Sequence, residues 1–276
     1  MAHCWKYELE APDAGLKLAS TGEIFMSMRR VVAAETLDGL AADDLSAIRS
    51  RRDLQRVHLA MGTRGIVARA LRELTASRHA AAPLRVLELG AGDGTLMLGV
   101  ARALKKNGPA ARLELLDRQN LVSTATLAGY AALGWHASAR VCDVFDWVAS
   151  DSAPHDARAE PRWDVIIVNL FLHHFEGVQL DALLGAIATR TNSFLACEPR
   201  RGVLALAGSH LVGVMGANAV TREDAVLSVH AGFQRGEISA LWPPGGAEWM
   251  LKDYSAGLFS HCFSALRRSN QNGRTF

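Results

Sequence analysis

The stretch VLELGAGDGTL, Val86 to Leu96, decides the fold. An apolar run carrying one acid, Glu88, leads into three alternating glycines, Gly90, Gly92 and Gly94. Short apolar runs bounded by glycines predict buried strands. Glycine permits a tight turn and an approach closer than a Cβ would allow. The helix predicted from Thr95 to Lys106, with Gly108 as its stop, would present unpaired N–H groups at its start. In open parallel sheets ligands bind at the carboxyl ends of the strands, so this turn is a ligand site. It is not a phosphate-cradling loop, which needs a Lys and a Ser or Thr after its last glycine. Nor is it a dinucleotide fingerprint: in G-x-G-x-x-G the third glycine would fall at Thr95. A nicotinamide reductase is set aside on that spacing. Asp93 inside the turn would repel a pyrophosphate, whereas a positively charged cofactor without phosphate tolerates it.

Working outward, residues 84 to 199 alternate apolar runs with helices. LRVLELG, ARLELLD, ARVCDV, WDVIIVNLF and SFLACEP read as five strands. Helices are expected within 120–133 and near 178–190, and a polar surface loop over ASDSAPHDARAEPR. Continuous apolar strands separated by helices predict a parallel sheet covered on both faces. At the end of the chain, GEISALWP (236–243) and GLFSHCFSALR (257–267) read as an antiparallel pair around a PPGG turn region, with a frayed tail. Ahead of the sheet, EIFMSMRRVVAAETL, DDLSAIRSRRDLQRVHLAM and TRGIVARALRELTASR predict three helices over 23–80, after a loosely structured arm of twenty residues or so. The expected organisation is an arm and helical cap over 1–80 and a ligand-binding domain over 81–276.

The glycine turn resembles the first motif of the class I S-adenosylmethionine-dependent methyltransferases. The resemblance continues in chain order. LELLD ends in Asp117, where that family keeps an acid for the ribose hydroxyls, followed by Arg118. VCDVF supplies Asp143 for the adenine amine, with Val144 beside it, and WDVIIVNLFLHHF places Asn169 and Leu170 at the methionine end. The resemblance spans residues 84 to 267. It implies a doubly wound α/β fold with a seven-stranded, mostly parallel, Rossmann-like sheet ending in an antiparallel strand pair. It also implies S-adenosylmethionine as cofactor and S-adenosylhomocysteine as product. The cofactor residues it implies are Glu88, Gly90, Ala91, Gly92, Asp117, Arg118, Asp143, Val144, Asn169 and Leu170.

Methyl transfer from a sulfonium needs alignment and exclusion of water, and a hydroxyl acceptor gains from a base. His173 and His174 follow the fourth strand and Glu198 ends the fifth, so these three are the catalytic candidates, His174 slightly preferred. Some small-molecule O-methyltransferases of this class are similar in using a histidine in an LHH context with an acid after the next strand. Asn169 is followed by Leu-Phe-Leu, which disfavours the DNA and protein-amine branches; no Pro-Cys nucleophile follows the strand. The small apolar residues of 203–217 read as a core helix or as a wall of an apolar acceptor pocket. Asn218, Arg222, Asp224 and His230 are further substrate-facing candidates, while His261 reads as a core or sheet-face residue. The expected acceptor is a hydroxyl of a small, largely apolar molecule. Carbon or nitrogen methylation of a quinone-like or amine acceptor, and a non-catalytic binding protein of the same fold, stay open.

The whole chain sets the remaining bounds. Its 276 residues suffice for one large α/β domain, and 49% hydrophobic against 21% charged residues excludes general disorder. A net charge of +2 is too mild to indicate nucleic acid, and the basic run RSRRDLQR reads as a solvated helix face. No apolar run is long enough to span a bilayer. The four cysteines, Cys4, Cys142, Cys197 and Cys262, lack zinc-ligand spacing, and no metal is expected. These features suit a cytoplasmic monomer or homodimer acting on a small-molecule acceptor.

Overall fold

The computed structural model describes residues 28–76, 82–105, 108–150, 162–244 and 248–268. The expected N-terminal arm, Cys4, nearly all of the 149–162 loop and the tail lie outside them. After a one-turn helix, α1 (Thr36–Gly39), come α2 (Leu45–Ala60) and α3 (Thr63–Thr75). The sheet units follow: β1 (Leu84–Leu89), α4 (Thr95–Leu104), β2 (Ala111–Asp117), α5 (Thr124–Ala131), β3 (Trp135–Val141) and α6 (Val144–Ala149). Then come β4 (Val165–Asn169), α7 (Gly177–Arg190), β5 (Ser193–Pro199), α8 (Val203–Leu211), α9 (Ala219–Ala231), α10 (Glu237–Leu241), β6 (Trp249–Ala256) and β7 (Ser260–Arg267). The sheet order is β3-β2-β1-β4-β5-β7-β6, with β1 to β5 parallel and β7 antiparallel to both neighbours.

Strand alternation divides the core into two layers. Leu84 and Val86 pack with α3 and α4 residues such as Val67, Leu71 and Met97. Leu87 and Leu89 point the other way, among Leu180, Leu183 and Ile187 of α7. Every residue of β4 and β5 is buried, which is why both read as unbroken apolar runs. Each fully buried Leu, Ile or Val contributes about 1.5–3 kcal/mol relative to exposure. Cys197 and Cys262 are buried opposite each other on β5 and β7, and Cys142 is half-buried. His261 is also buried, its Nε2 2.8 Å from Asp253 Oδ1.

Four expectations need correction. Residues 28–35 form no helix. Their polar groups are taken by other elements: Val31 N–H donates to His230 O, Arg30 to the carbonyls of Ala231 and Phe175, and Thr36 and Leu37 N–H to the Asp224 carboxylate. The segment is a strap tied across α9. Next, 236–243 is not a strand; α10 forms there after Gly236 at φ 91°, burying Ile238. The partner of β7 is instead the WMLKDYSA run, whose outward residues hide its alternation. The third strand ends at Val141 and a short helix, α6, starts at Val144 with Asp143 as its cap. Finally, helix α8 stops at Leu211 and a tight turn over Val212–Met215 follows, with much of this segment exposed.

Candidate active site

The parallel topology brings the carboxyl ends of β1, β2 and β4 to one edge. There the loop after β1 takes left-handed backbone at Gly90, Gly92 and Gly94. The N–H groups of Gly90 and Ala91 donate to Leu116 O, and Gly92 N–H donates to Asp117 Oδ2 at 2.8 Å. Asp93 turns back on the start of α4, accepting from the Thr95 N–H and hydroxyl, and also from the Gln55 amide of α2. Tyr130 OH donates to Gly94 O at 2.6 Å and locks the turn from α5.

Two adjoining cavities run along this edge. One, of 150 Å³, is lined by Glu88, Gly90, Ala91, Gly92, Asn169 and Leu170, and is roofed by Arg51, Gln55 and His58 of α2. The other, of 690 Å³, is lined by Asp117, Arg118, Asp143, Val144, His173 and His174. Gly90, Gly92, Leu54 and Leu170 border both. The structure thus brings every residue of the expected cofactor set to one continuous trough. Asp143 also caps α6, accepting from Phe145 N–H, and Arg118 reaches across to pair with Asp38.

The floor of the trough's inner end is rich in acceptors, with Arg51 the cation in its roof. Glu88 Oε2 and Asn169 Oδ1 are buried acceptors without hydrogen-bond partners among the described residues. Burial, with Asp93 and Asp117 nearby, drives the Glu88 carboxyl well above its ordinary range. His58 is held neutral, burial lowering its pKa to about 4. Unmatched acceptors beside a cluster of acids fit a cationic, hydrogen-bond-donating ligand and oppose a phosphate.

Beyond the trough lies the histidine cluster. His173 is buried, with Nδ1 2.8 Å from Glu198 Oε2 and Nε2 3.2 Å from Glu35 Oε1. Burial pushes its pKa down, but the hydrogen bonds to Glu198 and Glu35 prevail and raise it to about 9. It is therefore an imidazolium donating to two carboxylates. Glu35 is correspondingly held low: burial pushes it up, but the His173 hydrogen bond, attraction to both histidines and the Ser228 hydroxyl together outweigh that. His174 is the reverse case. Its ring lies 4.2 Å from that of His173, tilted by 33°, and burial followed by repulsion from that charge lowers its pKa. It is neutral, lies on the cleft wall, and has Nδ1 3.4 Å from Asp38 Oδ2.

A third cavity, of 430 Å³ and almost wholly apolar, is enclosed by α2, α8, the 212–215 turn and α9. Glu35, Leu37, Leu54, Leu170 and Ser228 line both it and the 690 Å³ cavity. Leu170 is the one described non-glycine residue with positive φ, 49°, a conformation that branched side chains avoid. Strain of this kind collects at functional sites, and here it sits where all three cavities meet.

Of the substrate-facing candidates, Asp224 lines the apolar cavity while holding α1. Asn218 instead caps α9 and bonds Ser50 of α2, Arg222 packs against Gly213, and His230 ties the strap through its carbonyl. Glu35 and Asp38 escaped the sequence reading. Glu35 offers a ligand atom within 4.8 Å of one from each histidine, a grouping that residues 138 apart cannot reveal by spacing.

Gly90 makes a test of this architecture. A Cβ there would lie 2.3 Å from Phe171 Cδ2, at φ 71°. The Gly90→Ala variant should lose about 2–4 kcal/mol in a thermal melt, from overpacking and left-handed strain together. Gly92→Ala meets no atom within 4 Å and should lose only the backbone part, about 1–2 kcal/mol. Equal losses would mean the Phe171 contact is unimportant.

No protein-family model and no curated protein matches the chain. Solved structures do. One is the plantazolicin methyltransferase BpumL in complex with a monoazolic desmethylPZN analog and S-adenosylhomocysteine, at TM-score 0.52 and 16% identity over 79% of this chain and 90% of that one. The same enzyme with a triazolic analog gives TM-score 0.53 and 14% identity, over 79% and 91%. An O-methyltransferase family protein from Burkholderia thailandensis gives TM-score 0.55 and 16% identity, over 83% of this chain and 62% of that one. At such identities the likeness is one of fold. Together with the sheet order and the glycine turn at the end of β1, it shows that the chain has the fold of the class I S-adenosylmethionine-dependent methyltransferases.

Proposed function

We propose that the protein is an S-adenosylmethionine-dependent methyltransferase acting on a hydroxyl of a small, largely apolar molecule. The observation that carries the reading is the trough's inner end, where Glu88 and Asn169 present unmatched buried acceptors beside the Gly90–Gly92 turn. S-adenosylmethionine, when bound, supplies a methyl group activated on a sulfonium. Glu88 and Asn169 would take its ammonium, Asp117 its ribose hydroxyls, and Asp143 with Val144 its adenine. Leu170 borders both the trough and the apolar cavity, so it would set the line between donor and acceptor.

The apolar cavity supports an apolar acceptor, with its polar atoms directed to the Glu35 and Ser228 end. The acceptor's hydroxyl would give its proton to neutral His174, with Asp38 behind it. His173 already holds its proton between Glu198 and Glu35, so its proposed part is to fix those carboxylates and the cleft wall. The helices of 1–80 would close the site against water.

Titration calorimetry with S-adenosylmethionine and S-adenosylhomocysteine, then incubation with phenols and hydroxylated lipids, tests the proposal. Binding of both and a mass gain of one methyl on oxygen are expected, with turnover reduced about 100-fold or more in His174→Ala. Turnover should survive dialysis against a chelator. Loss on chelation would reassign Glu35, His173 and His174 as metal ligands. Unchanged turnover without His174 would favour a carbon or nitrogen acceptor, and no cofactor binding by folded protein would favour a non-catalytic role.

A further inference from the structure

The apolar cavity does not end inside the protein. Leu211, Val214 and Met215 line it, yet they are 61%, 84% and 46% exposed. Its wall is therefore also surface. Leu204, one helical repeat earlier on α8, is 65% exposed. The outer side of Val203–Met215 is thus an apolar stripe, interrupted by exposed His210, of a kind monomeric surfaces rarely show without a partner.

Within the stripe's own stretch of chain the charges are of one sign, while Glu35 and Asp224 line the inner cavity and exposed Glu223 follows Arg222. Between Glu198 and Glu223 the chain has no carboxylate, and its charged residues are arginines 200, 201 and 222, of which Arg201 is buried against Glu237. Helix α2, whose Val57, Ala60 and Met61 region forms the facing wall, repeats the pattern. Its only acid, Asp53, is buried. Arg49, Arg52 and Arg56 are exposed at helical spacing on one face, which runs on to Ala60 at the cavity. Arg56 touches Asp53 at 3.1 Å, and carboxylates return only at the far end of the helix, with Asp43 and Asp44. The whole chain carries only +2, so the basic stripe is a local feature.

We propose that this face docks on an anionic lipid surface, so that an apolar acceptor enters the cavity from the bilayer. Exposed apolar side chains flanked by arginines are the pattern of interfacial helices, and anionic headgroups attract the basic rim. A second copy fits less well, because a two-fold contact through this face would set the arginine stripes against each other. The docking surface stands on the exposed face alone; its use in acceptor entry rests on the methyltransferase reading.

The full chain is sedimented with phosphatidylcholine vesicles, and with the same vesicles containing phosphatidylglycerol. Binding to the anionic vesicles alone is expected, weakened about fivefold or more by Arg49→Glu with Arg52→Glu, and similarly by Leu211→Glu with Val214→Glu. These positions are exposed, and melting curves check that each variant is folded. Absence of binding, equal binding to neutral vesicles, or variants that bind like wild type would overturn the proposal. So would a dimer in light scattering that Leu211→Glu with Val214→Glu dissolves. S-adenosylhomocysteine titration on the same samples reports separately on the methyltransferase reading.

Discussion

Replacing Glu198 with alanine is expected to lower the melting temperature by about 6–20 °C and to abolish turnover. The side chain is fully buried, and both oxygens are engaged. Oε1 accepts from the N–H of Phe171 at 3.1 Å and of Leu172 at 2.9 Å, while Oε2 accepts from His173 Nδ1 at 2.8 Å. One carboxylate thus folds the turn after β4 and neutralises the imidazolium beneath it. Truncation leaves a buried cation with half its partners and frees several N–H groups, a change worth about 3–5 kcal/mol. Glu198→Gln keeps the volume and one acceptor, so it should lose less stability while still losing the charge.

The same pair predicts a pH dependence of definite sign. The His173 pKa is about 9 in the folded chain against about 6.5 unfolded. A raised pKa stabilises most where both states are protonated, below pH 6.5. That contribution declines as pH rises and is gone above pH 9; its full size is on the order of 3 kcal/mol. Melting curves across pH 6–10 should fall steeply for wild type and more gently for Glu198→Ala, narrowing the gap between them. Parallel curves would show that His173 is not an imidazolium, and the assignment of its two hydrogen bonds would fail.

How far the sequence discloses this site follows from how each part is built. The strand-end residues, from Glu88 to Asn169, were legible because β4 and β5 are buried at every residue and β1 and β2 keep mostly apolar runs broken by single charged residues such as Arg85 and Arg112. A parallel sheet puts all their carboxyl ends on one edge, so finding the runs finds the site. Strand β6 was hidden because it pairs on one side only and carries Lys252, Asp253 and exposed Met250 and Leu251. Meanwhile Gly236–Pro243 alternates apolar and polar residues by chance, and tertiary packing made it a helix. The strap of 28–35 has helical spacing too, but its bonding partners lie on α9 and in the turn after β4, some 145 to 201 residues away. That is also why Glu35 and Asp38, which complete the histidine cluster, had no local signal.

Asp117→Ala should weaken S-adenosylhomocysteine about 10- to 100-fold, since hydrogen bonds to a charged group contribute about 1.5–3 kcal/mol. Two mechanisms contribute, and they can be separated. Asp117 Oδ2 accepts from Gly92 N–H at 2.8 Å and Oδ1 from Gln119 N–H at 2.9 Å. The carboxylate therefore ties the glycine turn to the end of β2 and lines the cleft at the same time. Alanine loses both roles. Asparagine keeps one acceptor for the turn but gives up the charge and turns a donor toward the ligand or toward Gln119. If the loss is mainly loop geometry, Asp117→Asn should bind nearly as well as wild type and melt near it. If it is the ribose contact, Asp117→Asn should stay folded and still bind at least tenfold more weakly. Glu114→Ala, three residues back on the same strand and paired with Arg140 away from the trough, should leave affinity unchanged. Loss of affinity there as well would mean that β2 as a whole, rather than the carboxylate at its end, governs the ligand. Undiminished affinity in Asp117→Ala would remove the ribose assignment, and with it the reason for reading this edge of the sheet as a nucleoside site.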